Sequence, residues 1–234
     1  LNGIERPISF LIKNMNNARA EIVQSLAKWK RLTLADLKIT KDEGIYTDMN
    51  AIRPDETLDN LHSIYVDQWD WERVITLEQR NLPFLEDVVR KIYEVLKQTE
   101  HFIRGHYSQI NPILPDEITF VHSAELEASY PDLPPWERED AICEKHGAVF
   151  IIGIGAPLKN GKPHDGRAPD YDDWTTPTPR GPGLNGDIII WYPQLKRAFE
   201  ISSMGIRVDK TALGRQLEMT GTTERRNLFF HKKL

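Results

Sequence analysis

Four segments concentrate the side chains able to do chemistry. The first is SLAKWKR, from Ser25 to Arg31, where Lys28, Lys30 and Arg31 fall within four positions beside Trp29. On a strand or tight turn Lys28 and Lys30 would project to one side and Trp29 to the other. Spacing alone favours a solvated basic edge, and the functional reading is a lysine aimed at a phosphate or carboxylate. The second is AIRPDE, from Ala51 to Glu56, followed by LHSIYVDQWDWERV, from Leu61 to Val74. Arg53 closes an apolar strand, Pro54 forces a turn, and Ser63 to Trp71 returns, so the piece reads as a long hairpin. On the return strand Tyr65, Asp67, Trp69 and Trp71 share one face, and Val66, Gln68 and Asp70 the other. Gln68 and Asp70 beside Val66 suit neither a solvated surface nor a dry core; polar groups so placed hold a ligand or one another.

The third segment, HDGRAPDYDDW from His164 to Trp174, holds five potential anionic or imidazole ligands. Its spacing matches no EF-hand and no zinc signature, and spacing alone makes it a solvated acidic loop. The fourth runs from Gly183 to Asp209. Asn185-Gly186 signals a turn and Asp187 opens a strand. Glu200, Ser202 and Ser203 end the next strand, where Met204-Gly205 permits close backbone approach before Arg207. A glutamate on a strand of Ala, Phe and Ile is expected to be largely buried, and buried carboxylates need a partner or a metal. Gly153-Ile154-Gly155 begins like a dinucleotide fingerprint but runs into a loop with Leu158 at the wrong place, so cofactor binding there is not expected. Cys143 falls in an amphipathic helix and reads as core.

The elements that must position these groups follow from periodicity. Ile8 to Ile12 and Ala20 to Val23 read as short strands. Leu85 to Phe102 spaces its apolar residues as a helix, with Pro83 near the start where a missing N–H costs nothing. Ile118 to Val121 reads as a strand, Ala124 to Tyr130 and Trp136 to His146 as short helices, and Ala148 to Gly153 as a buried strand. A loop from Ala156 to Gly186 is too long to be a passive connector. Asp187 to Trp191 and Ala198 to Ser202 bracket a turn at Pro193. The pattern predicts an α+β fold, a mostly antiparallel sheet flanked by helices.

At 234 residues and 40% hydrophobic content the default is a single domain. With 30 basic and 35 acidic residues the net charge is -5, the wrong sign for a protein whose work is neutralising nucleic-acid phosphates. A single cysteine excludes an internal disulfide framework and suits a reducing cytosol. No apolar run reaches the roughly 18 residues needed to span a membrane. A soluble, cytoplasmic protein is expected. The chain opens on Leu1-Asn2-Gly3 and stops at Lys232-Lys233-Leu234 without a cap signal, and so reads as a stretch of something longer.

SLAKWKR, AIRPDE, YVDQWDWERV, RAPDYDDW, GLNGDI and EISSMGIRVD, in this order, make the chain resemble the ammonia-dependent asparagine synthetases (aspartate–ammonia ligases) along nearly its whole length. That family is similar in fold to the class II aminoacyl-tRNA synthetase catalytic domain, a six-stranded antiparallel sheet with flanking helices, acting as a homodimer. The resemblance implies a single catalytic domain over residues 1–234 that lacks an N-terminal motif 1 and a C-terminal motif 3. It implies that Arg53 grips the ATP α-phosphate and that Lys30 and Arg207 hold the carboxylates of aspartate. Gln68 and Asp70 would fix its amine, Ser25 and Ser203 would add hydrogen bonds, and Asp187 and Glu200 would carry Mg²⁺. Asp172 is the candidate carboxylate on the ammonia side. The implied ligands are ATP, Mg²⁺, L-aspartate and ammonia, without nucleic acid. Two alternatives stay open: the catalytic piece of an aspartyl- or asparaginyl-tRNA synthetase, disfavoured by the acidic charge and the lack of an OB-like module, and a non-catalytic amino-acid-binding relative.

Overall fold

The computed structural model describes residues 6–228. The chain divides into two compact units, one of Leu1–Thr76 with Asn227–Leu234 and one of Leu77–Arg226.

The first unit is built from two antiparallel hairpins and one helix. β1 (Ser9–Ile12) pairs with β2 (Ala18–Glu21) around a left-handed turn at Asn16 and Asn17. β3 (Gly44–Ile52) pairs with β4 (Tyr65–Arg73) over their whole lengths, the hairpin expected from AIRPDE and its return. β4 alternates as predicted: Tyr65, Asp67, Trp69 and Trp71 are exposed, while Val66, Gln68 and Asp70 turn inward. SLAKWKR departs from expectation, because it opens a helix, α1 (Ala27–Asp36), and not a strand or turn. Ala27, Lys30 and Leu34 recur at helical spacing and form its buried face, so Lys30 points in while Trp29 stays half exposed. A lysine on the apolar stripe hides the helix from a reading by hydrophobic period.

The second unit carries a four-stranded sheet in the order β10-β9-β6-β5. Its strands are β5 (Thr119–His122), β6 (Ala148–Ile152), β9 (Asn185–Tyr192) and β10 (Arg197–Gly205), antiparallel except for the parallel β5–β6 pair. β6 is buried along its whole length, as its unbroken apolar run requires. The helix expected over 85–102 is α2 (Leu82–His106), started by Asn81, whose side chain accepts from the Phe84 N–H at 2.9 Å. α3 (Ser123–Ser129) and α4 (Pro135–His146) pack beside the sheet, so that Leu126, Ile142 and Cys143 meet Val149, Ile151 and Ile189 in the core. α5 (Lys210–Met219), which follows an Asp209 cap, was not anticipated. Two further short strands, β7 (Pro177–Thr178) and β8 (Gly181–Pro182), lie within the long 156–186 segment. In place of the six-stranded antiparallel sheet that the resemblance implied, the described residues form this four-stranded mixed sheet and separate two-stranded hairpins. No described helix is long and apolar enough to cross a membrane.

Candidate active site

In the first unit Lys30 is completely buried, and its ammonium meets the Asp70 carboxylate and donates to Thr47 Oγ1 at 3.1 Å. Thr47 and Asp70 are cross-strand partners, so α1 delivers its lysine to one rung of the β3–β4 ladder. A buried ammonium is tolerated only with such partners. Gln68 is two residues from Asp70 on the same inner face, opposite Met49. Ser25 is spent locally, its hydroxyl accepting from the Ala27 N–H at 3.2 Å at the start of α1. Arg53 stands just past β3, its N–H bonded to the Ile64 carbonyl at 2.7 Å. Its side chain is 46% exposed and lies 3.8 Å from Glu56, a loose contact that leaves the guanidinium largely solvated.

In the second unit the long segment overturns the expectation of a solvated acidic loop. Asp170, Asp172, Asp173 and His164 are all buried. The stretch 171–173 is laced between two others: Asp173 donates to the Ile206 carbonyl at 3.0 Å, Val208 donates to Tyr171 at 2.9 Å, and Leu184 donates to Asp173 at 2.7 Å. Asp172 therefore sits directly opposite Arg207. The Arg207 guanidinium binds one oxygen of Asp172, donates to the Tyr171 hydroxyl at 2.7 Å and lies 3.7 Å over the Tyr171 ring. Gly205 makes the approach possible, since a Cβ there would fall 3.0 Å from the Asp172 carboxyl carbon and closer still to Asn185.

Asp187, on β9, is buried and bound by Arg167, whose Nε also lies 3.7 Å from the second Asp172 oxygen. The result is an alternating row, Asp187–Arg167–Asp172–Arg207. Arg167 belongs to RAPDYDDW, a segment whose aspartates alone carry the expected chemistry; an arginine amid four acids is the signal in the sequence for its role. Asp172 Oδ2, though fully buried, accepts no hydrogen bond from the described residues.

Glu200 corrects another expectation, because it is exposed. β10 is the outer strand of the described sheet, and a register shift between Glu200 and Ser202 turns both Glu200 and Ile201 to solvent. The apolar neighbours that suggested burial cover only part of the strand. Glu200 nevertheless acts on Asp187. Burial raises the Asp187 carboxyl well above its ordinary range, Glu200 and Asp165 push it further, and Arg167 with the Ser203 hydroxyl oppose them. Carboxylates are hard oxygen donors of the kind a divalent cation takes, and here the Asp187 carboxylate is bound by Arg167. Among the described residues no group of three or more His, Cys, Asp or Glu forms a complete metal cage. Mg²⁺ commonly binds through one or two carboxylates with the remainder from substrate phosphates and water.

The sequence model of the aspartate–ammonia ligase family matches residues 1–234. The chain belongs to that family. It is 60% identical to an aspartate–ammonia ligase of Bacteroides thetaiotaomicron, covering all of this chain and 68% of the relative. It is 54% identical to that of Clostridium tetani, covering 100% of this chain and 66% of the other. Among solved structures it is similar to Entamoeba histolytica asparaginyl-tRNA synthetase in complex with asparaginyl-adenylate, with a TM-score of 0.63 at 14% identity over 97% of this chain and 50% of that one. The aspartyl-tRNA synthetase of the same organism gives 0.58 at 13% identity, over 91% of this chain and 44% of that one. The class II synthetase-like α+β fold expected of the family is thus present. Cys143 is buried in the ligase core, where burial first and then Glu139 and Asp140 push the thiol up and keep it protonated, unlike a nucleophile.

Proposed function

We propose that this chain carries out ATP-dependent synthesis of L-asparagine from L-aspartate and ammonia, through a β-aspartyl-adenylate, releasing pyrophosphate and AMP. The observation that carries the reading, beside family membership, is the buried Asp187–Arg167–Asp172–Arg207 row. It supplies both signs of charge, fixed in place, for a substrate with two carboxylates and an amine. Arg207, held by Asp172 and Tyr171, would receive one carboxylate of aspartate. Lys30 keeps one donor beyond those given to Asp70 and Thr47, and would offer it to the other carboxylate. Gln68 and Asp70 would orient the amine, with Ser25 and Ser203 as further hydrogen-bonding groups.

Arg53 is assigned to the α-phosphate of ATP. Attack of the aspartate β-carboxylate there spreads charge over oxygens that a planar guanidinium matches. Asp187 and Glu200 would hold Mg²⁺, which supplies charge stabilisation for the pyrophosphate leaving group. In the second step ammonia attacks the acyl carbon and AMP departs. Ammonia is mostly protonated at pH 7, so a base must take a proton before the nitrogen can attack. Asp172 Oδ2 is buried and accepts no hydrogen bond from the described residues, and it is the oxygen we assign to that proton.

A cytoplasmic homodimer that binds no nucleic acid completes the proposal; light scattering tests the dimer. The deciding experiment incubates the protein with ATP, Mg²⁺, aspartate and ammonium and follows asparagine and AMP together. Formation of ADP instead of AMP, or charging of tRNA without free asparagine, would overturn it.

A further inference from the structure

We infer that Gln216 is a positioning residue for the Asp172 carboxylate; the inference rests on the role given to Asp172 above. Gln216 is on α5, outside every segment that carries chemistry, and is completely buried. A buried carboxamide must satisfy two donors and an acceptor oxygen, and here all of them serve one stretch of backbone and its Thr175 side chain. Nε2 donates to the Pro169 carbonyl at 3.0 Å and to the Asp172 carbonyl at 2.9 Å. Oε1 accepts from the Trp174 N–H at 3.0 Å and from the Thr175 hydroxyl at 3.2 Å. The side chain thus grips the backbone on both sides of the Asp172 Cα, and Gln216 sets where the carboxylate stands without touching it.

The next residue shares the Thr175 hydroxyl with Gln216 but has further partners of its own. Asp173 accepts from the Thr175 and Thr176 N–H groups, each at 2.9 Å, and binds Arg80, which also donates to the Arg207 carbonyl at 3.3 Å. Loss of Gln216 therefore leaves the segment attached through Asp173, through its pairing with 206–208 and through the Asp170–Arg225 pair, and removes the bonds that fix the Pro169 and Asp172 carbonyls, so that the backbone at Asp172 can shift. Displacement of a reacting group by about 1 Å can cost on the order of 100-fold in rate.

The test compares Gln216→Glu, which keeps the acceptor oxygen and replaces the donors by an oxygen facing two carbonyls, with Gln216→Met, which keeps length and removes both functions. Each is made in the wild-type and Asp172→Asn backgrounds of the full chain. With wild-type Asp172 we expect ammonia-dependent AMP release to fall about 10- to 100-fold, while pyrophosphate exchange at saturating aspartate changes far less and any shift passed on to Arg207 appears in the Michaelis constant for aspartate. In the Asp172→Asn background the further loss should be within about twofold, because a residue acting only through Asp172 has nothing left to position. A loss that multiplies fully in that background, or falls equally on both half-reactions, would overturn the inference as a general structural effect. Should Gln216→Glu fail to fold, Gln216→Met carries the comparison. A wild-type chain that releases no AMP with ammonia would defeat the proposed function instead. Amide exchange then decides the positioning: the Trp174 N–H should lose protection in Gln216→Met and keep it in Gln216→Glu, and unchanged protection in both would refute it.

Discussion

Arg53 and Arg207 are both assigned to anionic groups, yet the two units hold them differently. Arg53 follows a strand, is 46% exposed and lies 3.8 Å from Glu56. Arg207 is 16% exposed, and its guanidinium is fixed by Asp172 and by the ring and hydroxyl of Tyr171. A solvated guanidinium is cheap to redirect and gains its contacts when a polyanion arrives. A guanidinium fixed by carboxylate and ring has lost its rotamer freedom in advance, so it grips what it holds without an ordering cost. The first arrangement suits a contact that tightens as charge moves during reaction, and the second suits recognition of a substrate that must not wander.

The largest effect should come from breaking the exposed contact. Arg53→Lys keeps the charge but replaces two parallel donors with one ammonium. Losing a donor that strengthens as charge grows on the α-phosphate should slow aspartate-dependent pyrophosphate exchange about 100- to 1000-fold, roughly 2.7 to 4 kcal/mol, with aspartate affinity nearly kept. Arg207→Lys should do the reverse. Its partner carboxylate is held in ground and transition states alike, so the loss should fall on the Michaelis constant for aspartate, about tenfold or more, with turnover changed less. Near-normal exchange in Arg53→Lys, beside lost turnover at unchanged aspartate affinity in Arg207→Lys, would exchange the two assignments.

The same contrast explains what was legible in the sequence. The β3–β4 hairpin could be read because strand alternation survives in Tyr65-Val66-Asp67-Gln68-Trp69-Asp70, and the inward side of Gln68 and Asp70 follows from it. α1 could not, because its inward residue is a lysine. The buried aspartates of 170–173 were hidden for a related reason: four acids in ten residues look solvated until their partners are known. Those partners, Arg80, Arg167, Arg207 and Arg225, are spread across the unit's sequence. α5 has a signal in the sequence, an Asp209 cap followed by Ala212, Leu213 and Leu217 at helical spacing, with Gln216 as the polar residue in the stripe.

The rigid arrangement can be sharpened through Asp173, which anchors it without joining the row. Burial alone would raise this carboxyl, but the Thr176 hydroxyl, Arg80 and the N–H groups of Thr175 and Thr176 outweigh it, and the net shift is downward. Between its folded and unfolded values the unfolded chain binds a proton that the folded one does not, so stability rises with pH there. The contribution is complete above the unfolded value of about 3.9 and is lost as pH falls through the lower folded one. Asp173→Asn should cost about 1 to 3 kcal/mol at pH 7. It should also flatten part of the decline below about pH 4 seen in urea melts. A variant whose melts keep the wild-type slope in that range would show that Asp173 is not the group responsible.

The smallest expected effect concerns Cys143, and it separates a core residue from a nitrogen-delivery device. Amidotransferases release ammonia from glutamine with an activated cysteine, which needs a thiolate, a nearby base and access for the substrate. Cys143 has the opposite surroundings: it is wholly buried on α4 against Leu126, Ile142 and Val149, and both burial and the neighbouring Glu139 and Asp140 disfavour the thiolate. Cys143→Ala removes one sulfur from a packed core and should cost about 1 kcal/mol of stability. Ammonium-driven asparagine formation, measured well below the melting midpoint, should stay within about twofold of wild type, since a change confined to core packing leaves the charged row untouched. The decisive arm replaces ammonium with glutamine. If glutamine supports asparagine formation in the wild-type chain and Cys143→Ala abolishes that activity alone, the thiol is a nucleophile and free ammonia is not the donor. If glutamine is inert with both proteins, ammonia is the donor and Cys143 serves the core.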